Sequence, residues 1–421
     1  MLIRKLDYLK KSNHLRNNAN RKDISRYQWK LFKGMIEYSY NKIPFYKKIF
    51  RNEGLHPSDF RKLADIKRIP VLTKNIIREN YNLLQNHNLK SSTIRNTSGS
   101  SGVPLKVAYD EKSYDYSEAI YFRSMLNSGV KPFYKGCYFW AKPYPQKKFY
   151  HRLGLINKNF IWTGSSTEDQ IRQINKINPK YLYLFPSNLK LVLKNIHLLS
   201  SRINLKSIIC TGEILDKRLK QRAENYFNCP VYDHYGTQEL NRVAQSCSEG
   251  VFHVDDDAIF LEVDRNNEEV GPGEKGEVIL TGLYNYKMPL LRYKVGDLAT
   301  RDEPGRCKCG VNFSRIKKIE GRQDDIIRLK DKEISPRAIT GKLDPFLFDD
   351  VIYNYRLIQN KRSEFLLYYI PGKNYEEKGI SELVSALKKQ LGRNIDLKTR
   401  SVKYLEKNLG GKHRFIKSKV S

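Results

Sequence analysis

Hydrophobic positions in the N-terminal part of the chain recur at helical spacing. Apolar side chains stand three or four positions apart, as on the buried face of an amphipathic helix: Trp29, Phe32, Met35, Ile36 and Tyr40. Pro44 interrupts this run, because proline has no backbone N–H to donate. Thr73 precedes the next helical pattern and is predicted to be its N-cap. The pattern therefore predicts an α-helical N-terminal region.

In the middle of the chain, short apolar runs alternate with helical patterns. Strands are predicted at "YLYLF" (181–185), "LKSIICTGE" (205–213) and "CPVYDHYG" (229–236), with helices between them. This alternation is typical of an α/β domain with a largely parallel sheet. Two further apolar runs, 256–264 and 275–283, are separated by turn residues and predict a β-rich subregion.

After residue 325 the pattern changes again. Strand-like "VIYNYRLIQNKRSEFLLYYIPG" (351–372) is followed by helical "ISELVSALKKQLG" (380–392), which indicates a small α+β unit of about 100 residues. We place the boundary near Gly321–Asp325. The expected domains are a large N-terminal domain at 1–322 and a small C-terminal domain at 323–421.

The composition is that of a folded protein. The chain has 421 residues, of which 40% are hydrophobic and 12% aromatic, which argues against extensive disorder. It contains no apolar run of about 18 residues, and its charged N-terminal segment lacks the apolar core of a signal peptide. We therefore expect a soluble cytoplasmic protein. Six cysteines in such a chain are better interpreted as thiols or metal ligands than as disulfides.

The chain is strongly basic, with 77 Lys and Arg against 45 Asp and Glu, a net charge of +32. Such a charge suits an anionic partner, namely nucleic acid, an acidic membrane surface or a phosphorylated substrate. However, the basic residues are spread along the chain, and no RNP, C2H2 or arginine-rich motif is present. We therefore expect no specific nucleic-acid partner, whereas weak association with an anionic membrane surface remains open.

One loop combines hydroxyl groups with glycines: Thr97, Ser98, Gly99, Ser100, Ser101 and Gly102. Glycine lets a ligand approach the backbone closely, and successive N–H groups can form a concave anion site. The loop is not a Walker A motif, because G-x-x-x-x-G-K-[ST] is absent. Taken alone, it could equally be a flexible surface loop.

Further stretches place polar residues where predicted strands end, which is where ligands bind in open α/β sheets. They are "TGEIL" with Gly212 and Glu213, "YDHYGTQEL" with Tyr235, Gly236, Thr237 and Glu239, "LLRYKVGDLA" with Arg292 and Asp297, "EGRQDDIIRL" with Arg322 and Asp324, and "LGGKHRF" with Lys412. Each stretch is weak evidence by itself. The order in which these stretches follow one another along the chain is stronger evidence for a family than any single stretch.

This ordered series resembles the adenylate-forming superfamily of acyl-CoA synthetases and related ligases. "IPFYKKIF" and "GLHPSDFRKLADIKRIPVLTK" are similar to the phenylacetate–CoA ligase branch, including its CapK-like relatives in capsule and exopolysaccharide biosynthesis. The resemblance extends over about residues 27 to 415. It implies a large N-terminal α/β domain with a β-rich subregion and a small, mobile α+β C-terminal domain.

The resemblance also implies an activity. Such AMP-forming acid–thiol ligases join a carboxylic acid to ATP as an acyl-adenylate, release pyrophosphate and transfer the acyl group to coenzyme A. ATP, Mg²⁺ and coenzyme A are the expected cofactors. Two alternatives stay open. One is a capsule-pathway ligase that transfers an acyl or aminoacyl group to a sugar or a carrier protein, and the other is a non-enzymatic protein that binds anionic surfaces or nucleic acid.

The nucleotide-binding residues follow from the same resemblance. Loop 97–102 would hold the β- and γ-phosphates of ATP. Tyr235 would stack on the adenine, with Gly212 and Glu213 beside it, and Asp297 would bind the ribose hydroxyls. Tyr235 could equally be an ordinary core tyrosine.

The catalytic residues are likewise implied. Glu239 would hold Mg²⁺, and Arg322 would lie near the ribose and phosphate. Lys412 would reach the substrate carboxylate and the α-phosphate oxygens from a domain that turns about a hinge at Asp324. The alternatives are that Lys412 is one more lysine of a basic tail and that Asp324 is a helix cap.

Two positions depart from the family pattern. Val103 stands where the family's loop often has lysine, and Gln238 replaces the usual hydroxyl residue before Glu239. Thr237, one position earlier, could partly substitute for that hydroxyl. A weakened contact to the α-phosphate would slow adenylation without abolishing it, and neither departure removes the metal, ribose or lysine positions.

The acid-binding pocket is expected between residues 134–165 and 232–240. Aromatic residues in "FYKGCYFWAKPYPQ" and "FIWTGSS" suggest an aryl or otherwise apolar acid, although a buried aromatic cluster would give the same pattern. The sequence does not identify the acid.

Four residues have the composition of a zinc site. Cys247 and His253 are followed by Cys307 and Cys309, which could complete a tetrahedral Cys₃His set. The C-x-C spacing is tighter than that of the usual zinc pair, and four scattered thiol and imidazole groups are the alternative. Such a zinc ion would be structural rather than catalytic.

Overall fold

The computed structural model describes residues 2–97, 105–140, 157–303, 305–392, 394–406 and 414–420. Outside these ranges lie residues 141–156 of the predicted pocket and seven residues discussed above: Ser98, Gly99, Ser100, Ser101, Gly102, Val103 and Lys412. The chain divides into two compact units. The first comprises Met1–Pro132, Lys206–Thr211 and Pro230–Ile319, and the second Phe133–Leu205, Gly212–Cys229 and Glu320–Ser421.

The helices confirm the predicted start and stop signals. In chain order they are α1 (Leu2–Asn18), α2 (Arg21–Lys42), α3 (Pro44–Asn52), α4 (Lys74–Glu79), α5 (Glu111–Asn127), α6 (Thr167–Ile177), α7 (Pro186–Lys194), α8 (Lys217–Phe227), α9 (Pro336–Phe348) and α10 (Glu377–Leu391). Pro44 opens α3, where its missing N–H costs no helical bond. The hydroxyl of Thr73 accepts a hydrogen bond from Ile76 N at 3.4 Å and caps α4.

The strands follow the predicted alternation. In chain order they are β1 (Thr93–Asn96), β2 (Lys106–Tyr109), β3 (Lys135–Trp140), β4 (Asn157–Trp162), β5 (Tyr181–Leu184), β6 (Ser207–Thr211), β7 (Val231–Thr237), β8 (Asn241–Ser246), β9 (Phe252–Val254), β10 (Ile259–Arg265), β11 (Glu268–Glu269), β12 (Lys275–Gly282), β13 (Tyr293–Arg301), β14 (Arg315–Arg322), β15 (Ile327–Arg328), β16 (Glu333–Ile334), β17 (Ile352–Lys361), β18 (Glu364–Pro371), β19 (Asp396–Ser401) and β20 (Ile416–Ser418).

The first unit contains a large sheet and a hairpin. Within this unit, the strands of the sheet lie in the order β11-β10-β12-β13-β14-β9-β8-β7-β6. β6 and β7 are parallel, whereas β7, β8 and β9 pair antiparallel. β1 and β2 form a separate antiparallel hairpin. The predicted β-rich subregion is therefore confirmed.

The apolar face of α2 lies in the core of this unit. Phe32, Met35 and Ile36 are fully buried in a cluster that includes Leu280 and Tyr293 from the sheet. Burying an apolar side chain of this size stabilises the fold by about 1.5–3 kcal/mol. The predicted helical spacing therefore marks the face that attaches the N-terminal helices to the sheet.

The second unit has two parts. In its earlier part, β3 pairs in parallel with both β4 and β5. In its C-terminal part, a sheet in the order β19-β18-β17-β20 packs with α9 and α10 around a core of its own. A short 3₁₀ helix, Gln323–Asp325, lies at the predicted domain boundary. The C-terminal α+β prediction is confirmed.

Helix α7 is bonded to the C-terminal part of this unit. Lys190 Nζ lies 2.7 and 2.8 Å from the two carboxylate oxygens of Asp344, and Tyr355 donates to the same carboxylate at 3.2 Å. Lys190 and Asp344 are both buried, and Lys194 forms a second ion pair with Asp350. Buried charges need such partners to offset their lost hydration.

None of the helices in the described ranges has the length and apolar composition needed to cross a membrane.

Candidate active site

Glu239 lies in the tight turn that joins β7 to β8. A register shift follows Tyr235, and a Cβ atom at Gly236 would lie 2.4 Å from the carbonyl oxygen of Asn241, so only glycine fits there. The hydroxyl of Thr237 accepts a hydrogen bond from Leu240 N at 3.0 Å. The Y-G-T sequence therefore forms the turn that positions the glutamate.

Three tyrosine hydroxyls hold this turn. Tyr293 donates to Glu239 Oε1 at 2.6 Å, Tyr109 donates to the carbonyl oxygen of Glu239, and Tyr284 donates to that of Leu240 at 2.9 Å. Burial raises the pKa of Tyr109 and Tyr284, which keeps both hydroxyls protonated as donors. Glu239 is 6% exposed and forms no ion pair with any residue in the described ranges.

The donor set at Glu239 fits a magnesium ion. Mg²⁺ prefers carboxylate and phosphate oxygens and usually takes only one or two carboxylates from a protein. Tyr293 occupies one oxygen of Glu239, and Oε2 accepts no hydrogen bond from the described part of the chain. The glutamate therefore retains a charged oxygen for a hard cation.

Tyr235 and Asp297 are brought together. Tyr235, at 9% exposure, donates its hydroxyl hydrogen bond to Asp297 Oδ2 at 2.8 Å. Asp297 follows Gly296, whose φ of +84° requires glycine in β13. The aromatic residue and the carboxylate predicted for adenine and ribose are thus adjacent.

Arg292, in the same motif as Asp297, is a buried residue that binds other parts of the first unit. Its backbone φ is +50°, its side chain is 1% exposed, and its guanidinium binds Glu262 and Asp264 at 3.2 Å each. It also donates to the carbonyl oxygen of Ile69 at 2.9 Å. These contacts anchor the start of β13 to β10 and to the N-terminal segment.

Thr97, the first residue of the predicted phosphate loop, is hydrogen-bonded to Leu105, which follows the loop. Thr97 N donates to Leu105 O at 2.9 Å, and Leu105 N donates to the Thr97 hydroxyl at 2.8 Å. Arg95 lies over the Tyr109 ring at 5.0 Å and donates to Ser117 at 3.1 Å. The described ends of the loop are therefore fixed on the hairpin that also carries Tyr109.

Two predicted segments are adjacent in the second unit. Gly212 has φ +77°, and Glu213 accepts hydrogen bonds from Ser187 N at 2.8 Å and Ser187 Oγ at 3.0 Å, which caps α7. A Cβ atom at Gly321 would lie 2.9 Å from Ile214 Cδ1. The G-E-I and G-R motifs, with Arg322 at the end of β14, therefore pack together.

Glu406 and Arg414, which lie on either side of the segment that contains Lys412, are bonded to other residues of the second unit. Arg414 forms an ion pair with Asp325 of the G-R-x-D-D motif. Arg356 donates to the backbone carbonyls of Arg414 and Glu406. Lys412 and the Asp324 side chain are outside the described structure, so their roles stay predictions.

Cys247, His253, Cys307 and Cys309 converge in the first unit, and their four ligand atoms lie within 4.8 Å of one another. The sulfurs of Cys247 and Cys307 are 3.7 Å apart. Two thiolates on one tetrahedral zinc, each with a Zn–S bond of about 2.3 Å, are separated by about 3.8 Å, whereas a disulfide bond measures about 2.05 Å. The set therefore fits zinc, and its three cysteines are free thiols in this structure.

The protonation of this cluster also suits a metal. Burial lowers the pKa of His253 to about 4, so the imidazole is neutral at pH 7, and its Nδ1 lies 3.4 Å from the carbonyl of Phe313. Burial raises the pKa of Cys247, and raises that of Cys309 to about 12. Burial opposes ionisation of Cys307 too, but hydrogen bonds from Cys309 lower its pKa overall. A divalent cation would deprotonate the thiols that bind it.

Comparison with known proteins supports the predicted resemblance. A family model described as the CapK C-terminal domain matches residues 327–419. Over 81% of this chain and 80% of the relative, the sequence is 24% identical to phenylacetate-coenzyme A ligase of Escherichia coli. Over 93% of this chain and 89% of the relative, it is 24% identical to CapK of Staphylococcus aureus.

The chain is similar in sequence to phenylacetate–CoA ligases and to CapK. A solved 2-hydroxyisobutyryl-CoA ligase, in the postadenylation state in complex with R3-HIB-AMP, aligns with a TM-score of 0.79 at 18% identity, over 96% of this chain and 92% of the other. An o-succinylbenzoate coenzyme A synthetase from Bacillus subtilis, in complex with ATP and a magnesium ion, aligns with a TM-score of 0.53 at 18% identity, over 77% and 68%. The predicted adenylate-forming architecture is confirmed.

The sequence did not reveal the tyrosine hydroxyls that hold Glu239. Tyr293 belongs to the R-Y-x-x-G-D motif, but only its neighbours were assigned roles. Tyr109 lies 130 positions before Glu239, and no local pattern links the two. The hydroxyl group of a tyrosine in or near a binding motif is the one feature of the sequence that could have indicated these contacts, because a buried tyrosine hydroxyl usually has a hydrogen-bond partner.

Proposed function

We propose that the protein activates a carboxylic acid with ATP and transfers the acyl group to coenzyme A. A carboxylate oxygen of the acid attacks the α-phosphorus of ATP, and the bond to pyrophosphate breaks. The sulfur of coenzyme A then attacks the acyl carbon, and AMP leaves. The observation that carries the proposal is the buried Glu239 carboxylate, which has no cationic partner among the described residues, next to the motif that pairs Tyr235 with Asp297.

Each side chain has a stated task in the first step. Glu239 binds a magnesium ion, which when bound neutralises phosphate charge. Tyr235 stacks on adenine, with Gly212, Gly236 and Thr237 shaping the backbone around it, and Asp297 accepts hydrogen bonds from the ribose. Arg322 and the loop from Thr97 to Gly102 bind phosphate oxygens. Such a step depends on positioning and charge stabilisation more than on covalent help.

Lys412 supplies a positive charge to the α-phosphate and the substrate carboxylate. The C-terminal α+β region that would carry it turns at Asp324, between the two half-reactions. Lys412→Ala is expected to reduce adenylation by about 100-fold or more, as the loss of a transition-state charge contact does. Transfer from a supplied acyl-adenylate to coenzyme A should persist. An equal loss in both half-reactions would contradict the hinge.

Coenzyme A is the proposed acceptor, because the phenylacetate–CoA ligases are among the chain's relatives. A sugar or a carrier protein is the second candidate, because CapK aligns over 93% of this chain and the CapK C-terminal model covers residues 327–419. The two candidates share the adenylation step and differ only in the nucleophile.

Product analysis tests both candidates. The protein is incubated with ATP, Mg²⁺ and a set of acids, and released pyrophosphate is measured with and without coenzyme A. Hydroxylamine traps any acyl-adenylate as a hydroxamate. Acid-dependent pyrophosphate release with acyl-CoA formation supports the proposal. Trapping without acyl-CoA formation favours the second acceptor, and no acid-dependent release with any acid contradicts both.

We also propose that Cys247, His253, Cys307 and Cys309 hold a structural zinc ion. Gly250, with φ +75°, and Gly310, with φ +83°, shape the turns after the cysteine motifs. The ion would tie the end of β8 to the loop before β14. It would stabilise the first unit without touching substrate.

Zinc content and unfolding test this metal site. We expect about one zinc per chain and its loss in Cys307→Ser, together with a lower unfolding temperature. Cys229→Ser is the matched control, because both cysteines are 7% exposed and only Cys307 belongs to the cluster. A wild-type protein that is metal-free and equally stable in the presence of a chelator would contradict the proposal.

A further inference from the structure

Tyr293 makes a contact that its sequence motif does not explain. Its side chain is fully buried, and its hydroxyl donates to Glu239 Oε1 at 2.6 Å. The two residues are 54 positions apart. The bond leaves the tyrosine neutral and engages one of two carboxylate oxygens.

The backbone of Tyr293 is fixed on both sides. Leu72 N donates to Arg292 O, and Lys294 N donates to Leu72 O, each at 2.9 Å, so the N-terminal segment forms a bridge across Tyr293. On the other side, Tyr293 pairs with Leu280 of β12. The backbone of Tyr293 therefore holds its hydroxyl in a fixed position beside the Glu239 side chain.

A neutral donor has a different effect from a cation. An arginine or lysine at this position would neutralise the carboxylate and compete with a bound metal ion. A tyrosine hydroxyl orients one oxygen and leaves the negative charge on the group. Hydrogen-bond partners of this kind orient metal ligands, and their loss typically weakens metal affinity or activity by about 10- to 100-fold.

We propose that Tyr293 is a positioning residue that presents Glu239 to the magnesium ion of the ATP complex. This inference rests on the proposed function, because it requires magnesium-dependent ATP binding at Glu239. Without the hydroxyl, the glutamate side chain gains rotational freedom, and a higher magnesium concentration is needed to recruit it. The rate at saturating magnesium should then recover.

Tyr293→Phe removes only the hydroxyl oxygen and tests this role. Tyr116→Phe is the matched control, since the Tyr116 hydroxyl donates to a backbone carbonyl, that of Asp257, at 2.7 Å. ATP binding is measured by calorimetry over a series of magnesium concentrations, and adenylation is followed over the same series. Unfolding temperatures show whether each variant is folded, and Tyr293→Met provides a second variant without the donor.

The expected result is an increase of about 10-fold in the magnesium concentration for half-maximal ATP binding. It should appear in Tyr293→Phe and Tyr293→Met but not in Tyr116→Phe, and adenylation should recover at high magnesium. Unchanged magnesium dependence in the Tyr293 variants, or the same change in Tyr116→Phe, would overturn the inference alone. A folded wild-type protein that binds no ATP with magnesium would overturn the proposed function as well.

Discussion

Buried carboxylates of the first unit have two kinds of partner. Asp255 and Asp257 both bind the guanidinium of Arg123, and all three side chains are almost fully buried. Glu239, at 6% exposure, is bonded instead to the hydroxyl of Tyr293. The first pair of carboxylates is paired with a cation of the protein, whereas Glu239 is oriented by a hydroxyl and has no cationic partner among the residues that the structure describes.

The difference follows from the cost of burying charge. An ionised group removed from water needs a partner of opposite charge, and breaking such a pair is strongly destabilising. Burial disfavours the charge of Arg123, but Asp257 and Asp255 more than offset this effect and raise its pKa. A carboxylate that serves a ligand cation must leave that pairing to the ligand. Partner type therefore separates structural from candidate ligand-binding carboxylates.

Removal of Arg123 should give the largest change in stability. Arg123→Met leaves Asp255 and Asp257 without this cation and is expected to lower the free energy of unfolding by about 3–5 kcal/mol. Arg172→Met is the control, because the Arg172–Asp169 pair is solvent-exposed and should contribute less than about 1 kcal/mol. Urea unfolding measures both. Equal losses in the two variants would remove the distinction between buried and exposed pairs.

Neutralising Glu239 should affect activity rather than stability. Glu239→Gln keeps the shape of the side chain and removes its charge, so adenylation is expected to fall by about 100-fold or more. The unfolding free energy should not decrease, since no cation of the described chain loses its partner. Pyrophosphate exchange and urea unfolding give the two values. A destabilised variant with normal exchange would reverse the comparison.

Glu262 lies between these two kinds of carboxylate, because it has a cationic partner but shares it with a second carboxylate. Arg292 is shared between Glu262 and Asp264, and burial is the main reason that the pKa of Glu262 is raised to about 7. Lys67 also binds Asp264, at 3.1 Å. One arginine thus serves two carboxylates, and ionisation of the second is costly.

A stability–pH profile tests this sharing. The folded state binds the Glu262 proton more tightly than the unfolded state does, so stability falls as the pH rises from about 4.5 to about 7. Glu262→Gln should remove this loss, at most about 1.4 kcal/mol per pH unit. Urea unfolding between pH 4.5 and 8 measures the difference from wild type. A constant difference across that range would contradict the raised pKa.

Local patterns predicted much of the fold. The spacing of Phe32, Met35 and Ile36 gave the buried face of α2. Thr73 marked the start of α4, and Pro44 marked the interruption between α2 and α3. Gly236 and Gly296 were part of motifs whose backbone geometry requires glycine. These features depend on neighbouring residues, which is why sequence reasoning found them.

Partners distant in sequence could not be predicted in this way. Glu213, expected beside adenine, caps α7 through Ser187. Arg292, next to the predicted ribose carboxylate, binds residues of β10 and a carbonyl of the N-terminal segment. Tyr293, at the start of β13, meets Glu239, in the turn between β7 and β8, only in the folded first unit. The motifs name candidate side chains for the site, and the tertiary fold determines what each one touches.

The central claim is that this chain forms a bond between a carboxylic acid and the α-phosphate of ATP at Glu239. Mass spectrometry of a reaction with ATP, Mg²⁺ and a library of acids tests it most directly. The account predicts the mass of an acyl-adenylate for at least one acid, and about 100-fold less of it with Glu239→Gln. A folded protein that forms no adenylate with any acid, but binds DNA or anionic vesicles in a salt-dependent way, would contradict it.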